Sequence, residues 1–296
     1  MALVAALVSA SVTAQDQVDV RMDLAPVAEG IYVLYGQGGN IGVSVGEDGV
    51  LLIDDQFAYM AQKIRTAVAT VSERPIRMVL NTHWHGDHSG GNEALARDGA
   101  MIIAHDNVRA RMNSRHFSTF FQSTSEPSPR AALPVVTFDR EVTVHLNGQT
   151  MHLEHAPTAH TDGDAIVYFE EANVVHMGDN FFNGLYPFID ADSGGSIVGM
   201  VAAIDSALGR IDGETRVIPG HGQLSDKQGL RTFRDMLDTV AGRVRAAIKA
   251  GRSVEEVVAS KPTAEFDASW GQGFIAPDDW VALVYGVMTR NLSDDS

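Results

Sequence analysis

His83-Trp84-His85-Gly86-Asp87-His88 is the stretch that decides the fold of this chain. Four side chains able to bind a metal fall within six residues, directly after a short apolar strand, Met78-Val79-Leu80. Imidazole and carboxylate together suit zinc and other borderline divalent ions. After the run, Gly90-Gly91-Asn92 leads into a helix over Glu93–Arg97, with Asn92 expected as its N-cap. The motif therefore sits on a strand-loop-helix junction.

Three more ligands stand where a strand has just ended. His160 follows the strand Met151–Glu154, Asp179 follows Val174-Val175, and His221 follows the strand Thr215–Ile218. Loops at strand ends can converge on one sheet edge, and seven ligands suffice for two metals. His145, His152 and His176 lie inside strand patterns and read as packing residues, and His105 has no partner pattern around it.

The remaining text is a mixed α/β pattern. Ile31–Tyr35, Ile41–Val45 and Gly49–Ile53 read as strands around a glycine-rich turn, Ala58–Val71 as a helix, and Met101–Ala104 as a strand. Gly42-Val43-Ser44-Val45-Gly46 matches a nucleophile-elbow pattern, but apolar alternation runs straight through the serine, so it reads as strand interior. Strands at Val142–Leu146, Met151–Glu154, Ala165–Phe169 and Asn173–His176 form a second block, followed by an amphipathic helix over Ser196–Leu208. Two strand-rich halves with helices predict two mixed sheets packed face to face, helices outside. From residue 223 to 296 the chain is expected to be a helical C-terminal extension of one domain spanning 22–296. The apolar run Trp280–Tyr285 within it is expected to pack on that domain rather than to form a dimer seam. Asn113–Pro134 lacks periodicity and is the candidate substrate loop, with Arg115 and His116 in it and Arg111 and Arg130 at its flanks or within it.

Composition narrows the partners. The 38 acidic residues against 22 basic ones leave a net charge of -16, which disfavours nucleic acid and anionic lipid surfaces. With no cysteine, thiolate zinc sites and disulfides are excluded. Residues 1–14 read as a signal peptide, because Ala2–Val12 is a short apolar run ending at the small residues Val12-Thr13-Ala14. That reading places the protein in the periplasm or outside the cell.

His-x-His-x-Asp-His followed by a lone His, a lone Asp and a final His resembles the metallo-β-lactamase superfamily. The resemblance covers Ile31 to His221 and implies an αβ/βα four-layer sandwich. It implies one metal on His83, His85 and His160, a second on Asp87, His88 and His221, and Asp179 bridging both. It also implies that Asp54, buried behind the loop, orients a ligand imidazole. Two zinc ions are the implied cofactors, with iron or manganese as alternatives given the carboxylate. Two such ions about 3.5–4 Å apart bring the pKa of a shared water towards about 7, so that hydroxide attacks a substrate carbonyl while Asp87 handles a proton.

The substrate is expected to be a small molecule with a hydrolysable carbonyl. Asn81-Thr82-His83, Ser89–Asn92 and Ile218–Gly222 look like the periplasmic zinc β-lactamases, which makes β-lactam opening the first expectation. Two departures keep lactone, ester or thioester hydrolysis close behind: Asp179 stands where those enzymes carry cysteine, and Phe182 stands where they often carry a substrate-gripping lysine. An iron-binding oxidoreductase or redox accessory protein is the third reading.

Overall fold

Apolar alternation along the strands builds two sheets that share one core. In the computed structural model, which describes residues 20–294, β1 (Asp23–Ala28), β2 (Ile31–Tyr35), β3 (Ile41–Gly46) and β4 (Gly49–Ile53) form an antiparallel meander. Helix α1 (Ala61–Val68) leads to β5 (Ile76–Leu80), and α2 (Gly86–Ser89) and α3 (Asn92–Arg97) lead to β6 (Met101–His105), all three strands β4, β5 and β6 running parallel. After α4 (Asp106–Met112) comes a separate hairpin of β7 (His116–Ser118) and β8 (Ser123–Ser125). Strand β9 (Val136–Phe138) then closes a seven-stranded sheet at the β6 edge.

The second sheet takes its strands in chain order: β10 (Glu141–Leu146), β11 (Gln149–Ala156), β12 (Asp164–Phe169), β13 (Val174–His176), β14 (Arg216–Ile218) and β15 (Ser225–Asp226). Only β13 and β14 are parallel, because α5 (Ile197–Arg210) forms the crossover between them. Helices α6 (Lys227–Lys249), α7 (Val254–Ala259), α8 (Asp267–Trp270) and α9 (Pro277–Asp294) follow.

The period of two decides which layer each side chain joins. Leu51 and Ile53 of β4 face the second sheet's Leu153, Val167 and Ile218, whereas Val50 and Leu52 face Ile64 and Val68 of α1. On the far side, Val175 and Val217 pack under Met200 and Ile204 of α5 and Phe233 and Leu237 of α6. The result is the αβ/βα sandwich with C-terminal helices that the sequence predicts. Trp280 is fully buried, stacks on Tyr186 with ring centroids 4.3 Å apart, and donates its Nε1–H to the Pro187 carbonyl at 2.8 Å. The apolar run of α9 thus packs inward.

Three local expectations change. Asn92 is not the N-cap of α3, whose cap is Gly91; its amide instead donates to Asn81 Oδ1 and the Ala132 carbonyl, tying the end of β5 to a distant loop. The α1 helix ends at Val68 rather than Val71, in a turn through Thr70. Asn113–Pro134 is not structureless, since it holds the β7–β8 hairpin. The signal-peptide reading falls outside the described residues.

Candidate metal centre

Parallel β4 and β5 end side by side, and that adjacency places Asp54 next to Thr82. Asp54 sits in the left-handed region at φ 66°, an uncommon conformation for a non-glycine residue that aims its carboxylate at the His-rich loop. Asp54 Oδ1 accepts the Thr82 backbone N–H, while Oδ2 accepts the Thr82 hydroxyl and faces His88 Nδ1, each at 2.7 Å. The Thr82 Oγ1 in turn lies 3.0 Å from His83 Nδ1. One carboxylate therefore sets the orientation of two imidazoles, leaving their Nε2 atoms turned to a common space.

The other rings are fixed by partners far along the chain. His160 Nδ1 donates to the Phe188 carbonyl at 2.8 Å, and Asp164 accepts the backbone N–H groups of His160 and Thr161, which pins the loop after β11. His85 is turned the other way round: its Nε2 meets Asp190 Oδ2 at 2.9 Å, so Nδ1 faces inward.

The inward atoms converge. His85 Nδ1 lies 3.1 Å from His83 Nε2 and 3.0 Å from His160 Nε2. Tetrahedral imidazole ligands at metal–nitrogen bonds of 2.0–2.1 Å stand about 3.3 Å apart, so three such nitrogens suit one small cation. Asp179 closes this group, and Asp87, His88 and His221 form a second, with the ligand atoms of each group within 4.8 Å of one another. Asp179 reaches both: Oδ2 is 3.4 Å from His160 Nε2 and 3.5 Å from His221 Nε2, and Oδ1 is 3.1 Å from His88 Nε2. Asp179 Oδ1 is nonetheless buried without a hydrogen bond of acceptable geometry, the condition a bound cation relieves. The residues present fit a pair of divalent ions.

Charge is distributed to match. Burial holds His83 well below the ordinary imidazole range and His160 down to about 4, which keeps their lone pairs available. Burial opposes ionisation of Asp179, but His88, His221, His83 and His160 outweigh it and hold its carboxyl well below the usual range. Asp87 is likewise brought down to about 2 against burial, by His88 and His221. In the second group the carboxylates win over burial, raising His88 well above its ordinary value and His221 to about 9. Those protons occupy positions that a cation would take instead.

Above this floor opens a cavity of about 490 Å³, walled by Phe57, Trp84, Phe121, Phe182, Phe188 and Phe274. Phe182 is buried and stacks on His221, with centroids 4.9 Å apart. His116 also lines the cavity, edge-on to Trp84 with its Nε2 3.3 Å from Ser193 Oγ. Arg115 does not reach it. His116 opens β7 and points in, whereas Arg115, just before the strand, is exposed and pairs with Glu126 at 3.0 Å. Arg111 is bound to Asp162 at 2.7 Å, Arg130 is exposed on the surface, and none of the described residues lining the cavity is lysine or arginine.

Two kinds of residue escaped the sequence reading. Asp190 orients His85 from 105 positions away, and nothing in Asp190-Ala191-Asp192-Ser193 marks it as such. Replacing Asp190 by asparagine is expected to weaken metal binding by about 10–100-fold, the usual effect of losing such an orienting partner, as measured by competition with a chromogenic chelator. Gly39 and Gly220 are the second kind. A Cβ on Gly39 would lie 2.0 Å from His88 Cε1, and one on Gly220 2.1 Å from Asp179 Oδ1, so both backbones press against the ligands.

A family model described as the metallo-beta-lactamase superfamily matches residues 34–221, which span all seven candidate ligands. The chain belongs to the metallo-beta-lactamase superfamily. Among curated members, it is 26% identical over 176 residues to a hydroxyacylglutathione hydrolase of Nitrosococcus oceani, covering 59% of each chain. It is 30% identical over 161 residues to the hydroxyacylglutathione hydrolase of a Polaromonas species, covering 52% of each. The chain thus spans little more than half the length of these curated relatives. Among solved structures, a metallo-beta-lactamase from Pontibacter korlensis aligns with a TM-score of 0.61 at 19% identity, over 74% of this chain and 99% of that one. The sec-alkylsulfatase Pisa1 of a Pseudomonas species aligns with a TM-score of 0.66 at 19% identity, over 89% of this chain and 50% of that one. At that identity the superfamily likeness speaks for the fold.

Proposed function

We propose that this protein is a di-metal hydrolase, with zinc as the working ion, that cleaves an ester, lactone or thioester at its carbonyl carbon. The observation that carries this reading is Asp179, set between two groups of ligands at the floor of a cavity. A pair of divalent cations supplies Lewis acidity and an activated water when bound there. Asp87, partly exposed at the cavity floor and ionised at neutral pH, can accept a proton at Oδ2, which lies 3.4 Å from His221 Nε2. Trp84, Phe121, Phe182 and Phe188 exclude bulk water from the reacting carbonyl.

The expectation of β-lactam opening asks for a cationic side chain to grip the lactam carboxylate, and the described residues of the walls offer none. The names of the curated relatives, which describe thioester hydrolases, support the broader reading. Export to the periplasm belongs to the same proposal and rests on residues 1–14.

Initial rates on zinc-loaded protein test it, using a glutathione thioester, an acyl lactone, an uncharged ester and a chromogenic cephalosporin, each beside Asp179→Ala. Turnover of any of the first three, lost in the variant, supports the proposal. Turnover of the cephalosporin alone would return the β-lactamase reading. Silence on all four, with iron retained through purification, would favour the redox reading.

A further inference from the structure

A second cavity of about 540 Å³ lies beside the first, lined by Phe120, Ile275, Ala282, Leu283, Gly286 and Val287 among others. Phe188, Asp190 and Phe274 line both cavities, so the two are neighbours across a shared wall. Phe188 stands in that wall. Its ring lies 5.8 Å from His85 and 5.9 Å from His160 on the metal side, and 5.1 Å from Phe120 on the other.

The tip of the β7–β8 hairpin straddles the same wall. Phe121 lines the first cavity and Phe120 the second, with their rings 5.0 Å apart. Two aromatic side chains left 36% and 53% exposed on a loop tip carry a burial gain that only an apolar occupant would realise. The tip is also anchored. Asp192 accepts the Thr119 N–H at 2.6 Å and its hydroxyl at 3.0 Å, and pairs with Arg290 of α9 at 2.6 Å. Hairpin tip, the turn after Phe188 and the last helix are therefore joined around the second cavity.

We infer that the second cavity is a subsite for a long, uncharged, unbranched hydrocarbon chain whose other end, the reacting carbonyl, sits over the metal centre; this rests on the hydrolase reading. The chain passes Phe188 and Phe274 and ends against Leu283, Gly286 and Val287. Among the described residues, Asp190, Asp192 and Asp279 line this cavity against one cation, Arg290, which Asp192 already holds, so a carboxylate at the far end is disfavoured.

Gly286 allows a direct test, because a Cβ there meets no atom within 4 Å and projects into open space. Gly286→Trp fills the subsite without a backbone clash, and glycine replacement favours the helix. Two readouts are needed: kcat/KM for p-nitrophenyl butyrate against decanoate on zinc-loaded enzyme, and equilibrium binding of a dansyl amide bearing a decyl chain, followed by fluorescence. Full burial of one methylene is worth about fourfold, so six methylenes at half that transfer energy predict about a 60-fold preference for decanoate. The inference expects Gly286→Trp to erase most of that preference and to weaken probe binding by a similar factor. Equal rates on both esters in both proteins, with no probe bound, would overturn the subsite and leave the hydrolase reading standing. Probe binding lost in Gly286→Trp, without turnover of either ester, would keep the subsite and sink the hydrolase. Neither turnover nor binding would remove both.

Discussion

Asp179→Asn is expected to reduce bound metal from two equivalents to one or none and to lower kcat/KM by more than about a thousandfold. The reason lies in the distances. Asp179 stands 3.1–3.7 Å from the Nε2 atoms of His83, His88, His160 and His221, while Asp87 approaches only His88 and His221 among them. An amide has the same shape but no charge to hold two cations together. Metal analysis after dialysis, alongside steady-state rates, checks this; two equivalents retained in the variant would show that Asp179 does not join the sites. The metal-free protein supplies a second readout. Because its neighbours hold the Asp179 carboxyl below its ordinary 3.8, the ionised form stabilises the fold above that pH, and the contribution fades as pH falls through the lowered value. Urea unfolding of the metal-free variant should thus show a deficit at neutral pH that narrows in acid.

Gly39→Ala is expected to cost about 1–3 kcal/mol of stability by overpacking, and about a hundredfold in activity by displacing a reacting group by about an ångström. The added Cβ would lie 2.0 Å from His88 Cε1 and 2.4 Å from its Nε2. His88 has nowhere to retreat, since Nδ1 is held 2.7 Å from Asp54 and the ring is fully buried. Gly242→Ala on α6, where a Cβ meets nothing within 4 Å, is the control and should leave activity unchanged. Thermal unfolding with and without zinc, together with kcat/KM, measures both; an unchanged Gly39→Ala enzyme would mean that the turn before β3 gives way more easily than its contacts imply.

These two residues mark the limits of sequence reading. The place of Asp179 in the cluster was legible because it follows the end of a strand, in the turn after His176, as His160 and His221 follow theirs. The clustering of His83, His85, Asp87 and His88 was legible because they fall within six residues of one loop. The glycines at 36–39 showed a turn but not its neighbour, since contact with His88 depends on how β3 pairs with β4 and β4 with β5. The β7–β8 hairpin was missed because its strands are three residues long and largely polar, so no alternation announces them. The arginines of the candidate substrate loop turn elsewhere for a similar reason: Arg111 finds Asp162 and Arg115 finds Glu126 only after folding.

The short turn carrying Asp190 and Asp192 gives recognition and chemistry a common fulcrum. One carboxylate steadies the imidazole of His85, and the other, two residues on, clasps Thr119 of the hairpin tip and Arg290 of the last helix. Remodelling the tip to accept a different molecule therefore tugs on a ligand of the centre that must process it. Gly286, which lines the second cavity and takes part in none of those bonds, is the easier place to gain new specificity.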